Sequence, residues 1–368
     1  MLETYQYDRS HRARSVSGMC LSAVFLLACA VGEAPAEIAG PLAAVGSDSS
    51  LAHYNPQSQI VGTFKIQGSE TMYPLMSRLT MEFQRRQPKV AIDVKGGGST
   101  KAVAEFLQPP LSKTGKVMLQ EERAGSFKMI ATSRELFDAE VKEFVEQHGY
   151  EPTAVPVAVD AVALYVHKDN PVTGLTLDQV DAMFSTSRNR GHKTAITQWG
   201  QLGLTDGWEK APIQLYGRDR KSGTRAFFQD HGLAGGEFMP GLHEEPGAAS
   251  VILNLGRDQL GIGYSGLGLQ SSTVRLVPLA EAAGMPFVTP AASTVADQTY
   301  PLRRVLYLYI DKAPNAPVPA AAQEFLKFIM TQEGQEAVSK AGFFPLPAGE
   351  AAKSAVAVGL SSPVPTIR

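Results

Sequence analysis

The chain has 368 residues, of which 34 are basic and 36 acidic, and it contains two cysteines. At about 150 residues per domain, this length predicts two domains. The net charge of -2 argues against a nucleic-acid partner, which requires many basic groups to neutralise phosphates. Both cysteines, Cys20 and Cys29, lie near the start, which excludes a cysteine nucleophile or a cysteine-based zinc site in the body of the protein. The histidines are scattered, so neither a metal nor a cofactor is expected.

An export signal is predicted at the amino terminus. Basic residues precede an uncharged stretch whose apolar part, residues 19–31, has 13 residues. As a helix it would reach about 20 Å, short of the roughly 30 Å hydrocarbon core of a bilayer. A secretory signal therefore fits better than a membrane span. Two processing routes stay open: cleavage of a signal peptide of residues 1–36, or lipoprotein processing before Cys29, which would then carry the lipid.

Strand and helix patterns alternate through the body of the chain. Apolar patterns predict strands at 61–66, 90–94, 128–131, 155–166, 213–216, 260–264 and 305–310. They predict helices at 72–87, 175–184, 222–231 and 319–341, a short helix that begins near residue 100, and another that follows Arg134 and ends near residue 147. The repeated order of strand, turn and helix is typical of a mostly parallel sheet covered by helices. Residues 37–56 predict a flexible linker, residues 108–128 a loop or insertion, and residues 349–368 a C-terminal tail.

Four segments share one composition at the point where a predicted strand or turn leads into a helix. They are Gly68-Ser69-Glu70-Thr71, Gly96-Gly97-Gly98-Ser99-Thr100, Ser133-Arg134 and Ser222-Gly223-Thr224. The first N–H groups of a helix lack intrahelical partners and attract anions, and glycine lets the backbone approach closely. Arg134 and Arg218 add forked donors suited to an oxyanion. One such turn is an ordinary helix cap, but four with two arginines predict a site for a small anion.

In this order the segments resemble the substrate-binding protein of bacterial phosphate ABC transporters, over about residues 60–348. The resemblance is carried by these four segments together with Pro156-Val-Ala-Val-Asp160, Asn170-Pro171, the spacing of Arg218 and Ser222, and Gly261-Ile-Gly-Tyr264. It implies an α/β, two-lobed type II periplasmic binding protein fold, in which each lobe is a mostly parallel sheet flanked by helices and the ligand lies in the interdomain cleft. We expect lobe 1 to comprise residues 57–163 plus 273–348, and lobe 2 residues 164–272.

The resemblance also implies the ligand and the residues that hold it. Phosphate is expected to contact Ser69, Thr71, Met72, Ser99, Thr100, Ser133, Arg134, Arg218, Ser222, Gly223 and Thr224. In the best-studied branch of the family an aspartate accepts the proton of the ligand, and Arg134 stands at that place here. Glu70 or Glu135 is the acceptor hypothesised instead.

The resemblance implies inorganic phosphate and an ABC permease of the cytoplasmic membrane as partners. The protein is expected to be a periplasmic monomer, free or anchored through Cys29, and not an enzyme, since no nucleophile or metal motif is visible. Three alternatives stay open: a receptor for another tetrahedral oxyanion such as sulfate, a secreted phosphatase, or an adhesion or signalling protein that uses residues 108–128.

Overall fold

The computed structural model describes residues 46–109, 127–269, 271–314 and 316–357. The predicted export signal, with Cys20 and Cys29, and most of the predicted insertion lie outside the described residues. The described residues all belong to one compact unit. In the described part of the chain, no helix has both the length and the apolar character needed to cross a membrane.

The elements follow the predicted alternation. The strands are β1 (Gly62–Gly68), β2 (Val90–Lys95), β3 (Lys128–Thr132), β4 (Thr153–His167), β5 (Leu175–Thr176), β6 (Gln214–Arg218), β7 (His243–Glu245), β8 (Gly261–Gly266), β9 (Val274–Val277), β10 (Leu279–Ala280) and β11 (Arg303–Asp311). The α-helices are α1 (Tyr73–Gln84), α2 (Ser99–Leu107), α3 (Asp138–His148), α4 (Leu177–Phe184), α5 (Gly223–Phe227), α6 (Ala248–Leu255), α7 (Ala292–Ala296), α8 (Ala320–Ile329), α9 (Gln332–Lys340) and α10 (Ala348–Ala357). A 3-10 turn occupies Trp199–Leu202, and a π-helical turn, Phe228–Gly232, continues α5.

The main sheet has the strand order β2-β1-β3-β11-β4-β8-β6-β7, and β9 also pairs with β4. The outer strands are parallel: β1 pairs in parallel with β2 and β3, and β6 with β7 and β8. The centre is antiparallel, because β11 runs against β3 and β4, and β4 against β8 and β9. The predicted α/β class is confirmed, with parallel strands grouped on both sides of an antiparallel centre.

Strand β4 joins the two groups of parallel strands. Its residues from Thr153 to Ala161 pair with β11, and those from Val162 onward pair with β8 and β9. Every residue of β4 from Val157 to its end is buried. A strand covered on both faces reads as a continuous apolar run, which is why the sequence shows no alternation here. Asp160 is the acidic residue in this run.

The predicted helix at 319–341 is wrong in one respect: it is two helices, α8 and α9. The helical conformation is interrupted at Thr331, whose hydroxyl accepts the N–H of Gly334 at 3.4 Å and caps α9. Because a capping residue has extended rather than helical backbone angles, a continuous helix cannot pass through it.

Two predicted flexible segments are also corrected where they are described. The predicted tail contains most of α10, and Ala351 and Ala355 of this helix are buried. The predicted linker contains Tyr54, whose buried ring packs on Phe83 and Phe328 and whose hydroxyl donates to Glu324 at 2.9 Å. Small residues made both segments look unstructured, yet their few larger or well-placed apolar side chains suffice to join the core.

Candidate anion-binding site

The four segments predicted to bind an anion meet at one place. The turns after β1 and β2 touch, because the N–H of Gly98 donates to the carbonyl of Gly68 at 2.8 Å. Ser99, at the start of α2, and Ser133, after β3, have hydroxyl oxygens 3.3 Å apart. Carboxyl ends of neighbouring parallel strands share one edge of a sheet, which brings these three turns together.

The fourth segment, Ser222–Thr224, closes over the other three. The hydroxyl oxygens of Thr71 and Thr224 lie 3.0 Å apart. Gly223 faces Ser99 and Ser133 so closely that a Cβ at this glycine would overlap Ser99 Oγ and lie 2.7 Å from Ser133 Oγ. The site is thus built from two widely separated parts of the chain that touch through hydroxyl groups and backbone.

Arg218 ends β6 and is 1 % exposed. Its Nη2 donates to the carbonyl of Pro246 at 3.0 Å, but its Nε and Nη1 have no hydrogen-bond partner among the described residues. Burial lowers the pKa of this guanidinium; the charge of Asp219 opposes the shift, and that of Arg304 adds to it. Buried donors normally have partners, so two unused donor nitrogens on a buried cation indicate a place for an anion.

Several predicted ligand hydroxyls also hold the backbone. Ser69 Oγ accepts the N–H of Met72 at 3.3 Å, and Ser222 Oγ accepts the N–H of Arg225 at 3.3 Å. Ser99 Oγ accepts the N–H of Ser133 at 3.2 Å. A hydroxyl that accepts from the backbone keeps its own hydrogen, so each of these serines still has a donor to offer.

The backbone N–H of Thr100, a predicted ligand residue, is used in a contact within the protein. Its N–H donates to the carbonyl of Lys221 at 3.1 Å, which joins the start of α2 to the turn before α5. Its hydroxyl oxygen is buried and has no partner in the described part of the chain. The backbone of Thr100 therefore joins the two sides, and its side chain alone retains a free polar atom.

Most of the Arg134 guanidinium is engaged by residues near the start of α3. Its Nη1 and Nη2 each lie 2.7 Å from a different carboxylate oxygen of Glu140, and Nη1 also donates to the carbonyl of Glu135 at 2.6 Å. Its guanidinium stacks on the ring of Phe137, 4.0 Å from the centroid. Both terminal nitrogens thus hold the start of α3, and Nε, which is buried without a hydrogen-bond partner among the described residues, is the one nitrogen left for a ligand.

The two carboxylates hypothesised as proton acceptors both have partners. Glu70 is exposed, and its Oε1 accepts the N–H of Gly97 at 2.5 Å. Glu135 Oε1 accepts the hydroxyl of Tyr307 at 2.6 Å. Burial, followed by this hydrogen bond, raises the pKa of Tyr307, so the tyrosine remains a donor. Both carboxylates thus stabilise neighbouring structure.

The structure adds two charged residues to the site, Asp160 and Arg304, which pair across β4 and β11. Both are buried, with Arg304 Nε 2.9 Å and Nη2 2.5 Å from Asp160 Oδ2. Arg304 Nη1 lies 2.9 Å from Thr224 Oγ1. The sequence carries a signal for both residues: each is a charge within an apolar strand, and Arg304 lies in phase with buried Leu306 and Leu308.

Comparison with known proteins agrees with this architecture. The solved structure of an ABC-type phosphate transport receptor from Vibrio cholerae matches with a TM-score of 0.57 at 20% identity, over 77% of this chain and 100% of that chain. A structure from Clostridium perfringens, described as a candidate phosphate ABC transporter substrate-binding protein with bound phosphate, matches with a TM-score of 0.60 at 24% identity, over 78% and 100%. The fold is that of a type II periplasmic binding protein, which confirms the predicted fold class.

Sequence comparison gives the family. The model of the PBP superfamily domain matches residues 55–333. The phosphate-binding protein PstS of Pseudomonas aeruginosa is 40% identical over 340 residues, which cover 92% of this chain and 98% of that protein. The chain therefore belongs to the PBP superfamily and, within it, to the family of the phosphate-binding protein PstS, as its sequence motifs predict.

Proposed function

We propose that the protein captures inorganic phosphate at this site and delivers it to an ABC-type permease. The observation that carries the proposal is Arg218: it is a buried cation whose Nε and Nη1 have no hydrogen-bond partner among the described residues, and it lies four residues before Ser222 of the site. The names of the relatives support the same ligand: the Pseudomonas protein is a phosphate-binding protein and the Vibrio protein a phosphate transport receptor.

The proposed ligand set keeps most of the predicted residues. It consists of the side chains of Ser69, Thr71, Ser99, Thr100, Ser133, Arg218, Ser222 and Thr224, with the backbone at Met72 and Gly223. Arg134 is left out because Glu140 occupies its terminal nitrogens. Phosphate has five heavy atoms, and a ceiling of about -1.5 kcal/mol per atom gives roughly -7.5 kcal/mol, close to micromolar affinity. Useful capture therefore requires donors on nearly every oxygen.

These donors come from both proposed lobes, which we place at residues 57–163 plus 273–348 and at residues 164–272. Thr71, Ser99 and Ser133 belong to the first lobe, and Arg218 and Thr224 to the second. The change of pairing partner within β4, between Ala161 and Val162, supports a boundary near this point. A ligand held by both lobes favours the closed arrangement, and a permease can read this change of shape.

The proposal includes binding without turnover. The named relatives are binding proteins and receptors, and the contacts of the site are those of donors around an anion. We also propose that the protein acts as a monomer in the periplasm, either free or anchored through Cys29. Incubation of the purified protein with a chromogenic phosphate ester checks the first point, because release of the chromophore would establish a phosphatase instead.

A second candidate ligand is a fully ionised oxyanion such as sulfate. The observation that favours it is that Glu70 and Glu135, the hypothesised proton acceptors, already hold Gly97 and Tyr307. Sulfate carries no proton and needs no acceptor from the site, whereas hydrogen phosphate needs one. Titration with both anions, described next, distinguishes the two ligands.

Calorimetric titration of the exported protein with phosphate, sulfate and arsenate tests the proposal. We expect phosphate to bind most tightly, and Arg218→Met to weaken its binding by about 100-fold, the effect of losing two charge-assisted hydrogen bonds. Arg275→Met is the matched control, because Arg275 donates to the carbonyl of Asn170 at 3.0 Å, outside the site. Absence of phosphate binding, or unchanged binding by the Arg218 variant, contradicts the proposal, and preference for sulfate establishes the alternative.

A further inference from the structure

We infer that Arg304 is a positioning residue of the anion site: held by Asp160, it makes the hydroxyl of Thr224 donate to the bound anion. This inference rests on the proposed function, since it concerns how the same site holds its ligand. It assigns a role to the buried ion pair of Asp160 and Arg304, neither of which is among the predicted ligand residues.

Asp160 fixes the orientation of the Arg304 guanidinium. The two residues are directly opposite each other in the antiparallel pair of β4 and β11. Both Nε and Nη2 of Arg304 donate to Oδ2 of Asp160, at 2.9 and 2.5 Å. Two hydrogen bonds from one planar group leave it little freedom to rotate. The remaining terminal nitrogen, Nη1, therefore points in a fixed direction.

Nη1 is directed at the anion site. It lies 3.1 Å from the carbonyl oxygen of Ser133 and 2.9 Å from Oγ1 of Thr224. Ser133 follows β3, whereas Thr224 lies in α5, so one guanidinium group joins the two sequence-distant parts that form the site. These contacts exist together with the contact between the hydroxyl oxygens of Thr71 and Thr224.

The chemistry of arginine decides which atom donates. A guanidinium has donors only, so Thr224 Oγ1 must accept the hydrogen bond from Nη1. The hydroxyl hydrogen of Thr224 is then available to another acceptor. In the structure Thr71 Oγ1, at 3.0 Å, is placed to receive it. An oxygen of a bound anion can take the same hydrogen, and the fixed Arg304 keeps the hydroxyl turned toward it.

Arg304 contributes direction more than net charge. Asp160 balances its charge at contact distance, whereas Arg218 has no comparable carboxylate on its terminal nitrogens among the described residues. The two arginines therefore differ in their expected effects: Arg218 supplies attraction to the anion, and Arg304 acts through one hydroxyl. This difference gives a test that a merely structural ion pair would not satisfy.

The test is a double-mutant cycle measured by phosphate titration. One arm removes the ion pair as a neutral unit, Asp160→Asn with Arg304→Met, so that no unpaired charge remains buried. The other arm is Thr224→Val, which removes the hydroxyl. We expect each arm to weaken binding about tenfold, the effect of one charge-assisted hydrogen bond. The combined variant should bind about as weakly as either arm, because once Thr224 has lost its hydroxyl the loss of Arg304 removes nothing further.

Two controls accompany the cycle. Arg303→Met alters the neighbouring arginine, whose Nε donates to the carbonyl of Val295 at 3.1 Å, and it should leave phosphate binding unchanged. Thr224→Ser keeps the hydroxyl and should keep its dependence on Arg304. If the variant lacking both charges does not fold, Arg304→Lys replaces it, because an ammonium can pair with Asp160 but lacks the fork that also reaches Thr224.

Multiplicative effects, about 100-fold in the combined variant, would overturn the inference, since Arg304 would then act independently of Thr224. Unchanged affinity in the arm without the ion pair would overturn it as well. Failure of the proposed function is distinct: in that case the wild type and the Arg303 variant would themselves bind no phosphate.

Discussion

Gly223 packs against Ser99 with no space for a side chain between them. A Cβ at this glycine would lie 2.6 Å from Ser99 Cβ and overlap Ser99 Oγ. The two residues begin α5 and α2, so their contact sets how closely the two sides of the site approach. The φ of Gly223 is not in the left-handed region, so its backbone angles do not require glycine. The close approach to Ser99 is what requires it.

We therefore predict that Gly223→Ala impairs closure. The added methyl group must push the start of α5 away from Ser99 and Ser133, and the donors can no longer meet on one ligand. We expect phosphate affinity to fall at least tenfold with little change in the melting temperature without ligand. Titration and thermal unfolding measure the two effects. Gly349→Ala is the control, because a Cβ there would meet no atom within 4 Å, and unchanged phosphate affinity in Gly223→Ala contradicts the prediction.

Arg218→Met is predicted to remove the response of stability to phosphate. At a concentration 100 times Kd, ligand stabilises the wild type by about 2.7 kcal/mol. For a protein of this size, with an unfolding entropy of about 2.1 cal/mol/K per residue, we expect the melting temperature to rise by about 3–5 °C. The variant should show no rise at the same concentration.

Without ligand, the same variant should be as stable as the wild type or more so, because the substitution removes buried N–H groups that have no partner in the described part of the chain. Arg275→Met serves as the comparison: it should melt at a lower temperature but keep the full rise with phosphate. A lower melting temperature for Arg218→Met without ligand would show that Arg218 is a structural residue.

The turns of the site were predictable because local chemistry determines them. Gly98, Ser99 and Ser222 stand where strands lead into helices, and any chain that makes those elements places backbone donors there. The role of Arg134 was not predictable, because it depends on Glu140 reaching back from the first turn of α3. The pairing of Asp160 with Arg304 depends on the register of strands 144 residues apart in the chain, which no local pattern determines.

Arg134→Met is predicted to affect stability and not binding. Breaking its contacts leaves Glu140, which is partly buried, without the guanidinium and removes the stacking on Phe137. We expect the free energy of unfolding to fall by about 1–3 kcal/mol, since the pair is not fully buried. The Kd for phosphate should change less than threefold. Denaturant unfolding and titration give both quantities, and a large loss of affinity in a folded variant would restore Arg134 to the ligand set.

Asp311, at the end of β11, is predicted to make the protein sensitive to acid. Its Oδ1 accepts the hydroxyl of Tyr150 at 2.6 Å and lies 3.4 Å from Nδ1 of buried His148. Burial raises the pKa of Asp311, but the nearby His148, the hydrogen bond from Tyr150 and the charge of Lys128 outweigh it, so the pKa lies below its usual value.

The direction of the pH effect follows from this lowered pKa. The unfolded chain binds the proton near pH 3.9, and the folded protein only at lower pH. Deprotonated Asp311 therefore contributes stability above about pH 4, and this contribution is lost as the pH falls through the folded-state pKa. Asp311→Asn should lower the free energy of unfolding at pH 7 by about 1–3 kcal/mol. The difference from the wild type should shrink below about pH 4, where the wild type becomes protonated as well.

Urea unfolding of both proteins between pH 7 and pH 3 measures this difference. Asp297→Asn is the control: hydrogen bonds from Thr299 lower the pKa of Asp297, but this residue is exposed and its replacement should change stability little at any pH. A difference between Asp311→Asn and wild type that stays constant across this range would mean that the variant disturbs packing alone. If the difference in the free energy of unfolding narrows on acidification, the charged carboxylate of Asp311 is what holds Tyr150 and His148 against β11.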